Sequence, residues 1–317
     1  MKTSLRCLIV DKMHPSIGTL LEEAGIHPDY FPDITRKEII DIIASYDGLI
    51  IRSKTIVDKE IIDSARKLKF IARAGAGTDN LDVDYLNSNN IKVLNAGEGN
   101  RDAVGDHTIG MILALLNNIV KSNIEIKEDK WLREENRGRE LNAMTVGIIG
   151  YGNCGQAVAK RLSSFGCNVF AHDKYKSGFG NDYVLESSLD QIQENVDILS
   201  LHIPLTKETH KMIDENFVSS FHSNFYFLNT SRGEIVDNEA IIKGLNSGKI
   251  IGAALDVLAP EGKAFVQRRN EYHLEYLLNH PKVIMTPHVA GWTVESYERI
   301  NKVLIDKIKE AFIHNPP

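Results

Sequence analysis

Thr145-Val-Gly-Ile-Ile-Gly-Tyr-Gly-Asn-Cys-Gly-Gln-Ala-Val-Ala-Lys-Arg-Leu162 is the stretch that decides the fold. Its opening apolar run, Val146 to Ile149, has the length and content of a buried strand. Three glycines follow at the spacing G-x-G-x-x-G: Gly150, Gly152 and Gly155. Ala157, Val158, Leu162 and Phe165 then recur at helical spacing, and Gly166 stands where a C-terminal cap belongs. A second strand reads over Asn168 to His172 and ends in Asp173. Three glycines alone are weak evidence. A strand, a glycine turn, a helix, and an acid at the tip of the next strand make a specific unit.

Each position has a physical job. Gly150 permits the tight turn out of the strand, and Gly152 lets the backbone approach a pyrophosphate. Gly155 lets helix and strand pack closely. The N–H groups that open the helix, near Asn153 and Cys154, present the positive end of its dipole to the phosphates. Asp173 accepts hydrogen bonds from an adenosine ribose and repels a 2′-phosphate, which favours NAD over NADP. Lys174 and Lys176 directly after it pull the other way. Cys154 reads as a small apolar filler rather than a redox group.

The chain has 317 residues, enough for two domains with separate cores. Hydrophobic residues make up 43%, charged residues 25%, and the formal net charge is −6. That balance describes a soluble globular protein and gives no electrostatic case for nucleic acid. No apolar run approaches the length of a membrane span. The N-terminal residues run into a strand-like segment rather than a signal peptide. Cys7, Cys154 and Cys167 stand in no paired or metal-ligating spacing, so no metal is expected and a reducing cytoplasm is.

Strands and helices alternate along the chain. Strands are expected at Leu5–Val10, Gly48–Ile51, Phe70–Arg73 and Val93–Asn95, and helices at Ile17–Ala24 and Lys59–Arg66. This is the pattern of an α/β protein with a mostly parallel sheet. The apolar segment from Asn100 to Leu116 reads as a helix crossing between domains or forming a dimer face. The charged stretch Lys121 to Glu140 reads as a surface helix or arm. Beyond Asp173, strands resume at Asp197–Leu201, Phe225–Leu228, Ile250–Asp256 and Val283–Met285, and a final amphipathic helix from Trp292 is expected to pack on the first domain.

Ligands of open parallel sheets bind beyond the carboxyl ends of the strands. Arg232 follows the strand at 225–228, Glu261 follows the one ending at Asp256, and His288 follows the one at 283–285. A guanidinium grips a carboxylate through two parallel hydrogen bonds. A histidine moves protons near neutrality, and a carboxylate on its other nitrogen fixes the tautomer and stabilises the imidazolium. The three types suit hydride exchange between a nicotinamide and a 2-hydroxy or 2-oxo acid.

These stretches resemble the D-isomer-specific 2-hydroxyacid dehydrogenase family over almost the whole chain. The carriers are Arg73-Ala-Gly-Ala-Gly-Thr-Asp-Asn80, the loop 150–155, His202-Ile-Pro-Leu-Thr206, Asn229-Thr-Ser-Arg-Gly233, Ala254-Leu-Asp-Val257 with Glu261, and Thr286-Pro-His288. The resemblance implies two doubly wound parallel-sheet domains. A Rossmann NAD-binding domain at 99–288 would be inserted into a flavodoxin-like substrate domain made of 1–98 and 289–317. It also implies a homodimer joined through the cofactor domains. Arg232 would bind substrate, Glu261 support, and His288 act as acid and base. Thr230 and Asp256 would lie near the nicotinamide carboxamide, with His202, Pro204, Thr209 and Gly291 as further cofactor contacts. The backbone of Ala74, Gly75 and Ala76, with Asn100, would meet the substrate. Gly262 stands where the family often has proline and Asn153 where it commonly has arginine, and the charged segment 263–280 is longer than usual.

Arg52 and Arg73 follow strands of the substrate domain and suit a distal phosphate, so 3-phosphoglycerate of serine biosynthesis is the leading substrate. Glyoxylate, hydroxypyruvate and D-lactate remain open, as does a different class, an NAD(H)-sensing corepressor-like protein. No regulatory domain follows residue 317, so feedback by serine through such a domain is not expected.

Overall fold

The computed structural model describes residues 5–314. The chain divides into two units. One is formed by the chain up to Asn100 together with the chain from Trp292, the other by Arg101–Gly291.

The first unit holds five parallel strands: β1 (Arg6–Ile9), β2 (His27–Tyr30), β3 (Gly48–Ile51), β4 (Phe70–Arg73) and β5 (Lys92–Asn95). Their order is β2-β1-β3-β4-β5, the doubly wound arrangement of the flavodoxin-like fold. All of β3 is buried, which explains its unbroken Gly-Leu-Ile-Ile. Neighbouring residues of β1 face opposite ways. Cys7 and Ile9 join Ile17, Leu21 and Phe70 on one face, while Leu8 joins Ile39, Ile61 and Leu86 on the other. Gly48 is required there, because a Cβ would lie 2.3 Å from the Phe70 ring.

Helix Val294–Lys309 returns to this unit. A capping box between Thr293 and Ser296 starts it, and Ile300, Leu304, Ile305 and Ile308 line the stripe it buries against the β1 face. Asn301 Nδ2 donates to the His14 carbonyl and to Ser16 Oγ, so residues 287 positions apart in the chain are tied together.

The second unit holds seven parallel strands: β6 (Thr145–Ile149), β7 (Asn168–His172), β8 (Leu185–Glu186), β9 (Ile198–Leu201), β10 (Phe225–Asn229), β11 (Ile250–Leu255) and β12 (Val283–Met285). Their order is β12-β11-β10-β9-β6-β7-β8. Counted within the unit this is the Rossmann order with one strand added at the far edge, and the order of strand addition reverses between β6 and β9. Apolar clusters cover both faces. One gathers Leu199, Leu201, Phe227 and Ile241, the other Ile112, Ile148, Val158 and Leu228.

The helix Gly97–Leu116 corrects one expectation. Ile109, Met111, Ile112, Leu115 and Leu116 are buried in the core of the second unit, so this apolar face is not an exposed dimer surface. The exposed apolar side chains come later, on helix Ile119–Lys127 and the segment after it: Ile119, Val120, Ile124, Ile126, Trp131 and Leu132. No single helix among the described residues is long and apolar enough to cross a membrane. The charged segment 263–280 forms two short helices, Gly262–Arg268 and Tyr272–Asn279, the second held by buried Leu274 and Leu277.

Candidate active site

The strand order of the second unit lays the site residues along one rim. Passing from β12 to β7, the carboxyl ends deliver His288, Glu261, Arg232, His202, the glycine turn at 150 and Asp173. Six neighbouring strands at the usual spacing make this row about 24 Å long. Arg232, Glu261 and His288 gather at one end of this row and Asp173 stands at the other.

The glycine turn is built as its spacing predicts. Gly150 has φ +95, and a Cβ there would lie 2.3 Å from the His202 carbonyl oxygen. A Cβ on Gly155 would lie 2.0 Å from the Gly150 carbonyl oxygen. A Cβ on Gly152 would meet nothing within 4 Å, because the space above it is open. Helix Asn153–Leu162 starts there without any side-chain cap. The first amides of that helix therefore face an open cradle, which fits a pyrophosphate. Burial pushes the Cys154 thiol up to about 11, which leaves it a protonated filler. Asp173 is fastened back onto the turn, since Oδ2 accepts from Tyr151 N at 2.9 Å and Oδ1 from Tyr175 N at 3.0 Å.

The other end assembles the three chemical groups. Ser231 donates to the Leu201 carbonyl and Asn229 Nδ2 to the Arg232 carbonyl, which fixes the Arg232 loop. Gly233 lets this loop lie against the next one, as a Cβ there would sit 2.2 Å from the Leu258 backbone. Glu261 and His288 meet, with Nδ1 to Oε2 at 2.8 Å. The carboxylate can only accept, so Nδ1 carries the proton and Nε2 is the nitrogen outside that bond. His288 itself has φ +55, an unusual conformation for a non-glycine residue.

Asp256 holds that conformation. Its side chain is fully buried, and Oδ1 accepts from Val289 N at 2.9 Å and from the Thr286 hydroxyl at 2.5 Å. Oδ2 accepts from Ala290 N at 2.8 Å, and the Asp256 carbonyl accepts from His288 N at 2.7 Å. His107 Nε2 lies 3.1 Å from Thr286 Oγ1. The structure thus places Asp256 as an internal anchor of the His288 loop, where the resemblance implies a nicotinamide contact. Sequence spacing offers no signal for this, because the bonded groups lie 30 to 34 residues away. Thr230, also buried, lies 3.5 Å from His202 Nδ1. Burial pushes His202 down to about 4, so it is neutral, with Nε2 2.9 Å from Ser200 Oγ. Thr209 donates to the Pro204 carbonyl and shapes the loop after β9, and Gly291 ends the segment that follows His288.

The tips of the first unit form their own cluster. Arg52 lies with its guanidinium 3.7 Å over the Trp292 ring and 5.4 Å from that of Tyr297. Arg73 folds over Gly75, whose φ of +143 and contact with the guanidinium exclude a side chain. The Ala74 and Gly75 amides are spent on the Ile51 and Arg73 carbonyls, which corrects the expectation that this backbone offers them to a ligand. Among the described residues the amides of Ala76 and Gly77 have no acceptor, and Asn100 Oδ1 is buried without a partner.

The profile of the D-isomer specific 2-hydroxyacid dehydrogenase NAD-binding domain matches residues 109–290, the span of this rim. Hydroxypyruvate reductase of Thermotoga maritima is 36% identical over 277 residues, covering 87% of this chain and 88% of that protein. The chain belongs to the D-isomer specific 2-hydroxyacid dehydrogenase family. D-3-phosphoglycerate dehydrogenase of Methanocaldococcus jannaschii is 32% identical over 312 residues, which is 97% of this chain but 57% of that protein. The structure of D-lactate dehydrogenase from Aquifex aeolicus with NAD and lactic acid superposes with a TM-score of 0.81 at 27% identity, over 96% of this chain and 94% of that one. The enzyme is an NAD-dependent oxidoreductase of this family, and the open cradle at Gly152 with Asp173 beyond it fits that cofactor.

Proposed function

We propose that the enzyme interconverts a D-2-hydroxy acid and its 2-oxo acid with Arg232, Glu261 and His288 as the reacting set. The observation that carries this is the 2.8 Å bond between His288 Nδ1 and Glu261 Oε2 on the same rim as Arg232. Bound NAD supplies the hydride acceptor or donor. In reduction, the His288 imidazolium gives its Nε2 proton to the carbonyl oxygen as the carbon takes up hydride. In oxidation, neutral Nε2 receives the hydroxyl proton, and Glu261 stabilises the imidazolium so formed. Arg232 holds the substrate carboxylate and polarises the neighbouring carbonyl.

For the substrate, 3-phosphoglycerate and 3-phosphohydroxypyruvate are favoured by Arg52. Its guanidinium is held by aromatic faces, and among the described residues no carboxylate forms a salt bridge with it, so its N–H edges suit a phosphate. The Ala76 and Gly77 amides suit a second anionic group of substrate. Hydroxypyruvate without phosphate is the second reading, favoured by the near-complete length match to the Thermotoga reductase. A panel of 2-oxo acids with and without phosphate, followed by NADH consumption, separates them. Arg52→Ala should weaken phosphorylated substrates far more than glyoxylate, and equal losses would remove the phosphate reading. A cytoplasmic homodimer completes the proposal. The exposed Ile124, Ile126 and Trp131 of the cofactor unit suit its interface, so Ile124→Glu should shift sedimentation to the monomer.

A further inference from the structure

Both lysines that follow the ribose-side acid are already engaged within the protein. Lys176 Nζ donates to the Tyr151 carbonyl at 2.9 Å. Lys174 Nζ lies 2.9 Å from Glu208 Oε2, and the Tyr175 hydroxyl donates to the same oxygen at 2.7 Å. Glu208 comes from the loop after β9, far from Asp173 in the chain. That loop is not slack. Thr206 N donates to Thr209 Oγ1 at 2.8 Å, Thr209 N to Thr206 Oγ1 at 3.2 Å, and the Thr209 hydroxyl to the Pro204 carbonyl at 2.7 Å. The carboxylate is therefore presented to Lys174 by a turn closed on both sides of it.

We infer that Glu208 is a specificity-determining residue, which excludes NADP by occupying the one lysine able to receive its 2′-phosphate. Asp173 is bonded through both oxygens to the Tyr151 and Tyr175 amides and cannot swing aside for a dianionic group. A 2′-phosphate beside it needs a compensating cation. Lys176 is turned to the glycine loop, and Lys174 is neutralised by Glu208. Within this bonded group Asp173 and Glu208 offset Lys174 and Lys176, so Lys174 brings no net positive charge to a phosphate there. Loss of the Glu208 charge leaves the lysines in excess and frees Lys174. For NADH, which carries hydroxyls there, the same change alters little. The effect is electrostatic, at an exposed site, and so falls with ionic strength.

The inference rests on Asp173 as the ribose-side acid, which Asp173→Asn tests by itself through weaker NADH binding. The deciding measurement is the pair of dissociation constants for NADH and NADPH, read from nucleotide fluorescence at low salt. It is made on the unaltered enzyme, Glu208→Gln, and Glu208→Gln with Lys174→Ala. Glu208→Gln should tighten NADPH roughly five- to tenfold, the size expected for one charge removed beside a phosphate in water, with NADH changed less than about twofold. Adding Lys174→Ala should return NADPH to the weak binding of the unaltered enzyme. No gain for NADPH, a gain shared with NADH, or a gain that survives the loss of Lys174 would each overturn the inference. An Asp173→Asn variant that binds NADH undiminished overturns the underlying reading as well.

Discussion

The two sheets share an architecture but use their crevices differently. Both are parallel and doubly wound, and in both the order of strand addition reverses beside the first strand, between β1 and β3 in one unit and between β6 and β9 in the other. In the second unit the crevice is open, with uncapped helix amides and an empty space above Gly152. In the first, Asp11 stands two positions beyond β1, and its carboxylate fills the crevice. It is 1% exposed and accepts from Arg52 N at 2.6 Å, Lys54 N at 3.3 Å and the Thr55 hydroxyl at 2.7 Å. Topology marks where a ligand can bind. Whether the backbone donors there are satisfied from within decides whether one does.

The largest expected effect lies at the chemical end of the open rim. His288→Ala should lower kcat by about 10²–10⁴-fold while NADH affinity, set at the other end, stays close to that of the parent. Single-turnover kinetics with a fluorescence titration of NADH checks both. Unchanged turnover would mean that another group moves the proton.

The next two variants are mirror images and test the contrast directly. Asp11→Ala strands donors in the closed crevice and should cost roughly 2–4 kcal/mol of stability. NADH affinity should be retained. The two tryptophans lie one in each unit, so a Trp131→Phe background leaves Trp292 to report unfolding of the first unit. Gly152→Ala should do the reverse. Its Cβ meets no protein atom, so stability should move by no more than about 1 kcal/mol, but it enters the cradle and should weaken NADH roughly tenfold or more. A Gly152→Ala enzyme that binds NADH normally, or an Asp11→Ala enzyme that loses it, would show that the two crevices do not differ in this way.

The open crevice was legible in the sequence and the closed one was not, for the same physical reason. Glycine spacing, a strand end and an acid are local signals, and so are the strand-tip positions of Arg232, Glu261 and His288. The bounds of β3, β4, β7 and β12 agree with the apolar runs because these strands have few polar interruptions. β2 was missed because it is an edge strand of His-Pro-Asp-Tyr with no apolar alternation. Helices such as Arg36–Ile42 and Leu189–Asn195 are too short for their period to stand out. The Asp11 and Asp256 carboxylates act on backbone amides 33 to 44 residues away, and nothing next to either in the chain marks that role.

The smallest effect separates the two histidines of the open rim. His288 is exposed and bonded to a carboxylate, whereas His202 is held neutral, with its pKa pushed down to about 4 by burial. A group depressed in the folded state binds fewer protons there than in the unfolded chain, where histidine titrates near 6.5. Its contribution is therefore complete above pH 6.5 and is lost as pH falls from there towards 4. Because the residue keeps some exposure, the loss should be about 1–2 kcal/mol rather than the full amount that the shift implies. His202→Gln keeps a partner for Ser200 but does not titrate. Its denaturation midpoint should fall less steeply than the parent's between pH 6.5 and 4. Parallel slopes would show that His202 is solvated enough to protonate in place, and the loop after β9 would then be as open as the glycine cradle it flanks.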